Sequence, residues 1–367
     1  NLIITMKITK FLALICAMAT LFVGCEGNGG DENSATGNAV LTADKDVAVM
    51  GEPITFTVTS EGADVTAEAK IYDKATYKEV SNPFVSDKDG KYEFYAVYGT
   101  SITKSIEISV VPSIPVLPED EEPTNTTFNH RILLVDHTGT KCAYCPQMKA
   151  ALRKVADDDN YHDKFYEAMA HTYNSDDPSW SRSAEVVTSH YGSLVNGYPS
   201  LTFNFYHPIP GERDDKSIKL QIDALWKAEG ADAGVMAAAT GGNTMVAVKA
   251  QVKAKVAGDY RVTAWLLEDN IYAQQAGTSD ESYYTHNNSI RHIAISNPIT
   301  GFDLGTIEAG ATAEKDMALE IQSLKWANEN LKVMVIVTVY NSSTKNYDVA
   351  NIAICPINGS VKYDYKK

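Results

Sequence analysis

The sequence predicts a multidomain protein: an N-terminal β-sandwich, a central α/β domain and a C-terminal antiparallel β-sandwich. Three observations carry this. A chain of 367 residues exceeds what one ordinary core holds. Apolar residues alternate with period two towards both ends of the chain. Between those regions, over residues 129–230, buried strands alternate with amphipathic helices.

At the N-terminus, Lys7 and Lys10 precede the apolar run Phe11 to Val23, which is short for a membrane span and has the length of a signal-peptide core. Residues 1–5 read as lying upstream of a start at Met6. The run ends in Leu21-Phe22-Val23-Gly24-Cys25 and turns at once to the polar Glu26-Gly27-Asn28. A small residue before a cysteine at that place resembles the lipobox of bacterial lipoproteins. The resemblance implies that residues 6–24 are removed, that Cys25 is lipidated, and that its acyl chains hold the mature protein on a membrane. Residues 25–37, polar and glycine-rich, read as a flexible tether.

In residues 38–112, Ile54, Phe56 and Val58 alternate with threonines, and Ala67, Ala69 and Ile71 alternate with charged residues. Tyr92, Phe94, Ala96 and Tyr98 follow the turn Asp87-Lys88-Asp89-Gly90, and Ile106, Ile108 and Val110 close the segment. Short alternating strands with turns between them read as an immunoglobulin-like sandwich. The Asp87-x-Asp89-Gly90 turn lacks the distal glutamate of a calcium loop and reads as a hairpin. Residues 113–128 carry Pro115, Pro118, Pro123 and the acidic run Glu119 to Glu122, the composition of a stiff, extended spacer at a domain boundary.

In the α/β segment, Arg131 to Val135 is a buried strand, and Met148, Ala151, Leu152 and Val155 lie at helical spacing, which places a helix starting near Cys142. Phe165 to His171 and Ser200 to Phe205 read as strands, Ser181 to Tyr191 and Ser217 to Glu229 as helices. From residue 231 to 364 period two returns. Val246, Val248, Ala250, Val252 and Ala254 face one way, and Lys249, Gln251, Lys253 and Lys255 the other. Arg261 to Leu267 is a further strand, and Leu331 to Tyr340 pairs with Tyr347 to Ile354 through a polar turn.

The net charge of −15 argues against a nucleic-acid partner, which needs a basic stripe. Of the five cysteines, Cys16 leaves with the signal peptide and Cys25 takes lipid, so Cys142, Cys145 and Cys355 remain as thiols. Export places them in an oxidising compartment, where a close pair is a disulfide or a redox couple. No second Cys pair or His pair stands at ligand spacing, so no metal site is expected. Asp157, Asp158 and Asp159 read as a solvated helix end, Cys355 as a buried small hydrophobe, and Trp180 and Trp226 as packing anchors.

The segment that carries chemistry is His137-Thr138-Gly139-Thr140-Lys141-Cys142-Ala143-Tyr144-Cys145-Pro146, between a buried strand and a helix start. Helix-terminal amides stabilise a thiolate, and Lys141 adds positive charge. Cys142 is then the exposed nucleophile and Cys145 the resolving thiol. Gly197-Tyr198-Pro199 opens a later strand. In thioredoxin-like folds a cis-proline at that place lies against the disulfide, so Pro199 and Tyr198 are expected to hold a substrate backbone. Together these features predict a thioredoxin-like domain. His171, at a strand end, is expected to be packed or hydrogen-bonded rather than a general base.

Thr138-Gly139-x-x-Cys142-x-x-Cys145-Pro146, His171 followed by Asp177-Pro178, and Gly197-Tyr198-Pro199 resemble the Bacteroidetes lipoproteins related to the twenty-eight-kilodalton outer-membrane protein. The resemblance runs from residue 129 to the C-terminus. It implies a thioredoxin-like core followed by a β-domain, on an outer-membrane lipoprotein that faces the periplasm or the cell surface. Two departures from active thioredoxins stand out. Lys141 occupies the place usually held by tryptophan, and His207-Pro208-Ile209-Pro210 leaves little room for the usual last hairpin strand.

Two readings of function follow. In one, the protein exchanges thiols and disulfides with a protein or peptide partner through Cys142 and Cys145, with no cofactor. In the other, it is a surface binding or adhesion lipoprotein, its disulfide is structural and its thioredoxin-like domain a scaffold.

Overall fold

The computed structural model describes residues 37–295, 297–323, 326 and 328–367. The expected signal peptide (6–24), Cys25 and the tether up to residue 36 lie outside the described residues. No helix among the described residues is long and apolar enough to cross a membrane. The fold is mixed α/β, dominated by strands in several sheets.

The first nine strands are β1 (Ala39–Ala43), β2 (Val47–Val49), β3 (Phe56–Ser60), β4 (Ala63–Asp64), β5 (Lys70–Asp73), β6 (Lys78–Glu79), β7 (Gly90–Tyr98), β8 (Ser101–Ile102) and β9 (Ile106–Val111). They form one sheet of order β1-β3-β4 and another of order β2-β9-β7-β5-β6, with β8 on β7. The alternation seen in the sequence turns Leu41, Phe56, Val58, Phe94, Ile108 and Val110 into a shared core. One expected strand differs: Thr66–Glu68 is a turn of 3-10 helix and extended pairing starts only at Lys70. Local side-chain bonds account for it. Asp64 accepts from the Thr66 amide at 2.9 Å, and the Thr66 hydroxyl accepts from the Val58 amide at 2.9 Å.

This module and the linker make specific contacts with the rest of the protein. The Asp87–Gly90 turn is a docking element: an Asp89 carboxylate oxygen accepts from the amides of Thr244 and Met245 at 2.8 and 3.2 Å. Val111, Met245 and Ala247 form an apolar seam beside it. In the linker, Asp120 pairs at 2.9 Å with Lys253, whose ammonium also donates to the Glu122 carbonyl and the Tyr365 hydroxyl. Lys253 was expected on a solvent face. It does point away from the strand's core, but the linker and the C-terminal tail cover it, leaving it 2% exposed. A buried ammonium needs such partners, and the acidic run supplies them.

The central strands and helices are β10 (Ile132–Thr138), α1 (Cys145–Ala156), β11 (Phe165–His171), α2 (Arg182–Tyr191), β12 (Ser200–Phe203), β13 (His207–Pro208) and α3 (Asp215–Leu225). Strand β10 is buried along its whole length, as suits a central strand covered on both faces. It pairs parallel with β11 and antiparallel with β12, and β13 adds antiparallel to β12. The two-residue β13 supplies the hairpin for which the sequence left little room; Asn204 and Phe205, at φ 45° and 67°, make its turn. Helices α1 and α3 cover one face through Met148, Leu152, Val155, Ile218 and Ile222. Helix α2 covers the other through Ala184, Val187 and Tyr191. Ser181 caps α2 by accepting from the Ala184 amide, as its place before the periodic run suggests. Helix α3 stops at Leu225, short of the expected Glu229; Trp226 is extended and donates its indole N–H to the His130 carbonyl.

The remaining strands are β14 (Ala233–Gly241), β15 (Met245–Ala254), β16 (Gly258–Glu268), β17 (Ile271–Tyr272), β18 (Thr285–His286), β19 (Ser289–Ile293), β20 (Phe302–Ile307), β21 (Thr312–Glu320), β22 (Leu331–Asn341), β23 (Asn346–Pro356) and β24 (Gly359–Val361). The sheet does not stop at residue 230. It continues in the order β13-β12-β10-β11-β19-β16-β22-β23, with β20 on β16. The joint is a single parallel pair, Met169 with Ser289. One apolar core correspondingly runs from Leu133, Val135 and Ala168 to Trp265, Met334 and Ile352. A four-stranded sheet of order β21-β15-β14-β24 packs over the far half, closing a core that includes Val248, Val262, Leu319 and Val335.

Replacing Lys253 with alanine removes the buried half of an ion pair whose other half, Asp120, is partly exposed, and should cost about 1–3 kcal/mol. Linker cleavage between residues 113 and 127 under limited proteolysis should accelerate. Unchanged cleavage would mean that Lys253 does not hold the linker.

Candidate thiol–disulfide site

Cys142 and Cys145 form a disulfide, with Cα atoms 5.4 Å apart. The helix starts at Cys145 rather than near Cys142, because residues 139–144 fold into tight turns: the Cys142 amide donates to Gly139 and the Cys145 amide to Cys142. Pro146 fits the first helical turn, whose amides have no intrahelical acceptors. The main departure from expectation is access. Cys142 is 2% exposed and Cys145 4%, so the expected exposed nucleophile is covered. Between them Ala143 and Tyr144 are both exposed, and the Tyr144 ring stands well out into solvent. Lys141 is exposed and ion-paired with Asp176, so a carboxylate offsets the charge expected to favour a thiolate. Cys355 is buried as expected, and burial pushes its thiol up to about 11.

The loop is held from within by Asp177. One of its carboxylate oxygens accepts from the Thr140 amide at 2.7 Å and lies 2.9 Å from His171 Nδ1; the other accepts from the Ser179 amide at 2.8 Å. Burial alone would raise this carboxyl, but His171 and the two amides hold it far below the usual carboxylate range. His171 is thus a packed, hydrogen-bonded histidine, its ring edge-on to His286 at 5.0 Å. The loop carrying Asp177 is in turn tied to the far half of the sheet. Arg291 donates to the carbonyls of Pro178 and Trp180 and pairs with buried Glu268 at 2.6 Å.

From outside, the loop is covered by the segment between β17 and β18. The buried Gln275 amide nitrogen lies 3.2, 3.2 and 3.0 Å from the carbonyl oxygens of Gly139, Thr140 and Cys142. The Ala276 amide donates to Thr140 at 2.7 Å. Gly277, at φ 83°, packs its backbone on Ala143 so closely that a Cβ there would overlap the Ala143 carbonyl.

The Tyr198–Pro199 bond is cis, as expected. The pairing of His137 with Ser200 sets Pro199 beside the end of β10 that leads into the cysteine loop. The Tyr198 hydroxyl lies 2.9 Å from Thr172 Oγ1, and its ring is edge-on to Tyr173.

Sequence reasoning missed the buried acids. Asp136 lies on β10 and Glu167 on β11, and alternation puts Asp136 on the α1 face with Ile132 and Leu134. Burial raises Asp136 well above the carboxylate range, with Glu167 adding to it; burial also raises Glu167. Lys149 of α1, beside both, is pushed down to about 8 by burial and donates to the carbonyls of Tyr283 and Thr285. A charged residue directly after the apolar run Ile132 to Val135 was the available signal for Asp136. Gln275 left none. Among the described residues no cluster of three or more histidine, cysteine or acidic side chains could hold a metal; Asp158 pairs with Lys219 at 2.6 Å.

Burial lowers His137 to about 3 and His286 to about 4. The unfolded chain takes up protons below about pH 6.5 while these imidazoles stay neutral in the fold. Their contribution is therefore full above pH 6.5 and is lost as pH falls towards 4. In His137→Gln the slope of unfolding free energy across that window should be shallower by up to about 1.4 kcal/mol per pH unit. Parallel slopes in denaturant titrations would contradict the burial argument.

Comparison with solved structures finds HBP35 of Porphyromonas gingivalis at 19% identity and a TM-score of 0.54, covering 66% of this chain and 80% of that one. This level of likeness shows a shared fold over two-thirds of the chain. A membrane-anchored protein from Corynebacterium diphtheriae aligns over 90% of this chain and 62% of its own at 11% identity, but its TM-score of 0.22 carries no argument. No curated protein matches. The family model for outer membrane protein Omp28 matches residues 214–358, a stretch that contains the covering segment and excludes the cysteine pair. Over that stretch the chain is similar to the Omp28 outer membrane proteins, the family its motifs resemble.

Proposed function

We propose that this protein is a lipid-anchored outer-membrane protein whose central unit, residues 129–230, is thioredoxin-like and exchanges the Cys142–Cys145 disulfide with thiols of a protein or peptide partner. The observation that carries the reading is the disulfide at the junction of central strand β10 and helix α1. The order β13-β12-β10-β11, with α1 and α3 on one face and α2 on the other, supports the thioredoxin-like assignment. The Omp28 match supports the outer membrane, and the lipobox-like Gly24-Cys25 supports the anchor.

The exchange is reversible. With the pair reduced, the Cys142 thiolate attacks a partner disulfide, forming a mixed disulfide and releasing one partner thiolate. The Cys145 thiolate then attacks Cys142 sulfur, which restores the intramolecular bond and releases the second partner thiolate; two electrons pass to the partner. Tyr198 and Pro199 would border the partner's backbone. No soluble cofactor enters this scheme.

A second reading is favoured by the burial of both cysteines: the bridge is structural, and the docked β-modules present a binding or adhesion surface.

Redox titration against glutathione separates the two. Exchange predicts a potential between about −120 and −270 mV, with a mixed disulfide trapped in Cys145→Ser and not in Cys142→Ser. A potential below about −300 mV, with no trapped species, would favour the structural bridge. For the anchor, Cys25→Ala should move the protein from the membrane fraction to the soluble one; retention in the membrane would refute lipidation at Cys25.

A further inference from the structure

We infer that the segment joining β17 to β18 is an autoinhibitory strap, which closes the cysteine loop in the resting protein and must lift before any partner thiol reaches Cys142. The inference concerns access and holds whether or not the pair turns over with a partner.

Residues 269–288 leave the sheet after β16 and return at β19. A connection of that length between adjacent antiparallel strands exceeds any turn requirement. It crosses α1 and the cysteine loop, and each part of it has a separate hold. At the far end, Arg153 of α1 donates to the Ser282 carbonyl at 2.6 Å and lies over the Tyr283 ring at 4.3 Å. Lys149 takes the carbonyls of Tyr283 and Thr285. At the near end, the Gln275 amide spans three loop carbonyls, the Ala276 amide bonds Thr140, and Gly277 rests on Ala143.

The near-end contacts are nearly all backbone-directed. They satisfy loop carbonyls that would otherwise need water or a partner's amides. The strap therefore occupies the loop as an extended peptide would, and the partner it excludes is one that presents backbone N–H groups and a small residue to residues 139–143. The contact is also light. It is a few hydrogen bonds with little apolar anchoring at Ala276 and Gly277, the kind of region that opens locally without global unfolding.

The test is the rate at which a phosphine reductant cleaves the disulfide in the folded protein, which requires access and no partner. Gln275→Ala removes the three-carbonyl contact, Gly277→Ala forces the strap off Ala143, and Arg153→Ala frees the far end without touching the cysteine loop. Gln275→Ala, which removes a buried hydrogen-bonding group, should accelerate reduction by about ten-fold or more, and Gly277→Ala and Arg153→Ala should each accelerate it as well. Continued protection of Cys355 from alkylation serves as the check that the fold is intact. Where a near-end variant exposes Cys355, Arg153→Ala decides. Wild-type reduction as fast as that of a free small-molecule disulfide, or equal rates in wild type and the folded variants, would overturn the strap. A failed strap leaves the potential and the trapped mixed disulfide untouched, so the two proposals fail separately.

Discussion

The Asp177 carboxylate is the interaction on which the site depends. Two oxygens bind the Thr140 amide, the Ser179 amide and His171, all away from water, so one charge fixes the cysteine loop, the end of β11 and the loop leading to α2. A carboxylate in that position is costly unless every bond is made, and removing any one partner would leave a buried charge short of hydrogen bonds. The dependence extends outwards. Arg291 on β19 holds the carbonyls of Pro178 and Trp180, next to Asp177, and is itself neutralised by Glu268. The far half of the sheet thereby helps to set the geometry of the cysteines.

That coupling explains why the α/β unit and the C-terminal strands share a sheet and a core. Met169 and Ser289 supply only one ladder pair, so the joint relies on packing and on the polar ties around it: the Met169 amide to Asn288, the Ser181 hydroxyl to the Ile290 carbonyl, and Arg291. The strap leaves the sheet beside this joint. A change in how β19 sits would be felt at both ends of the strap and at Asp177.

Much of this was legible in the sequence, for physical reasons that can be named. Phe165–His171 appears with its expected limits because its apolar run is bounded by polar residues on both sides. The hairpin of β22 and β23 follows from two apolar runs and a polar turn, and Ser181 marks the start of α2 as a cap. The cysteine pair was read correctly as a disulfide and placed at a strand–helix junction. What could not be read arises from contacts between residues far apart in the chain. Gln275 reaches Cys142 across a separation of 133 residues, and nothing in its neighbourhood is periodic or charged in a telling way. Lys253 alternates like a surface residue, and only the folded-back Asp120 makes it a buried one. Proline and acidic composition marked the linker, but not the contact of Asp120 and Glu122 with Lys253.

The central claim is that the cysteine loop is held by Asp177 from within and closed by the strap from outside. Residue-resolved hydrogen exchange of the oxidised, folded protein tests it at the two amides concerned. The Thr140 amide, bonded to Asp177, should be among the slowest in the molecule. The Ala276 amide, bonded to Thr140, should exchange faster than Thr140 and far more slowly than an unstructured peptide, as expected for a strap that opens locally. An Ala276 amide exchanging at the free-peptide rate would mean that the strap does not close the site, and an unprotected Thr140 would mean that Asp177 does not hold it.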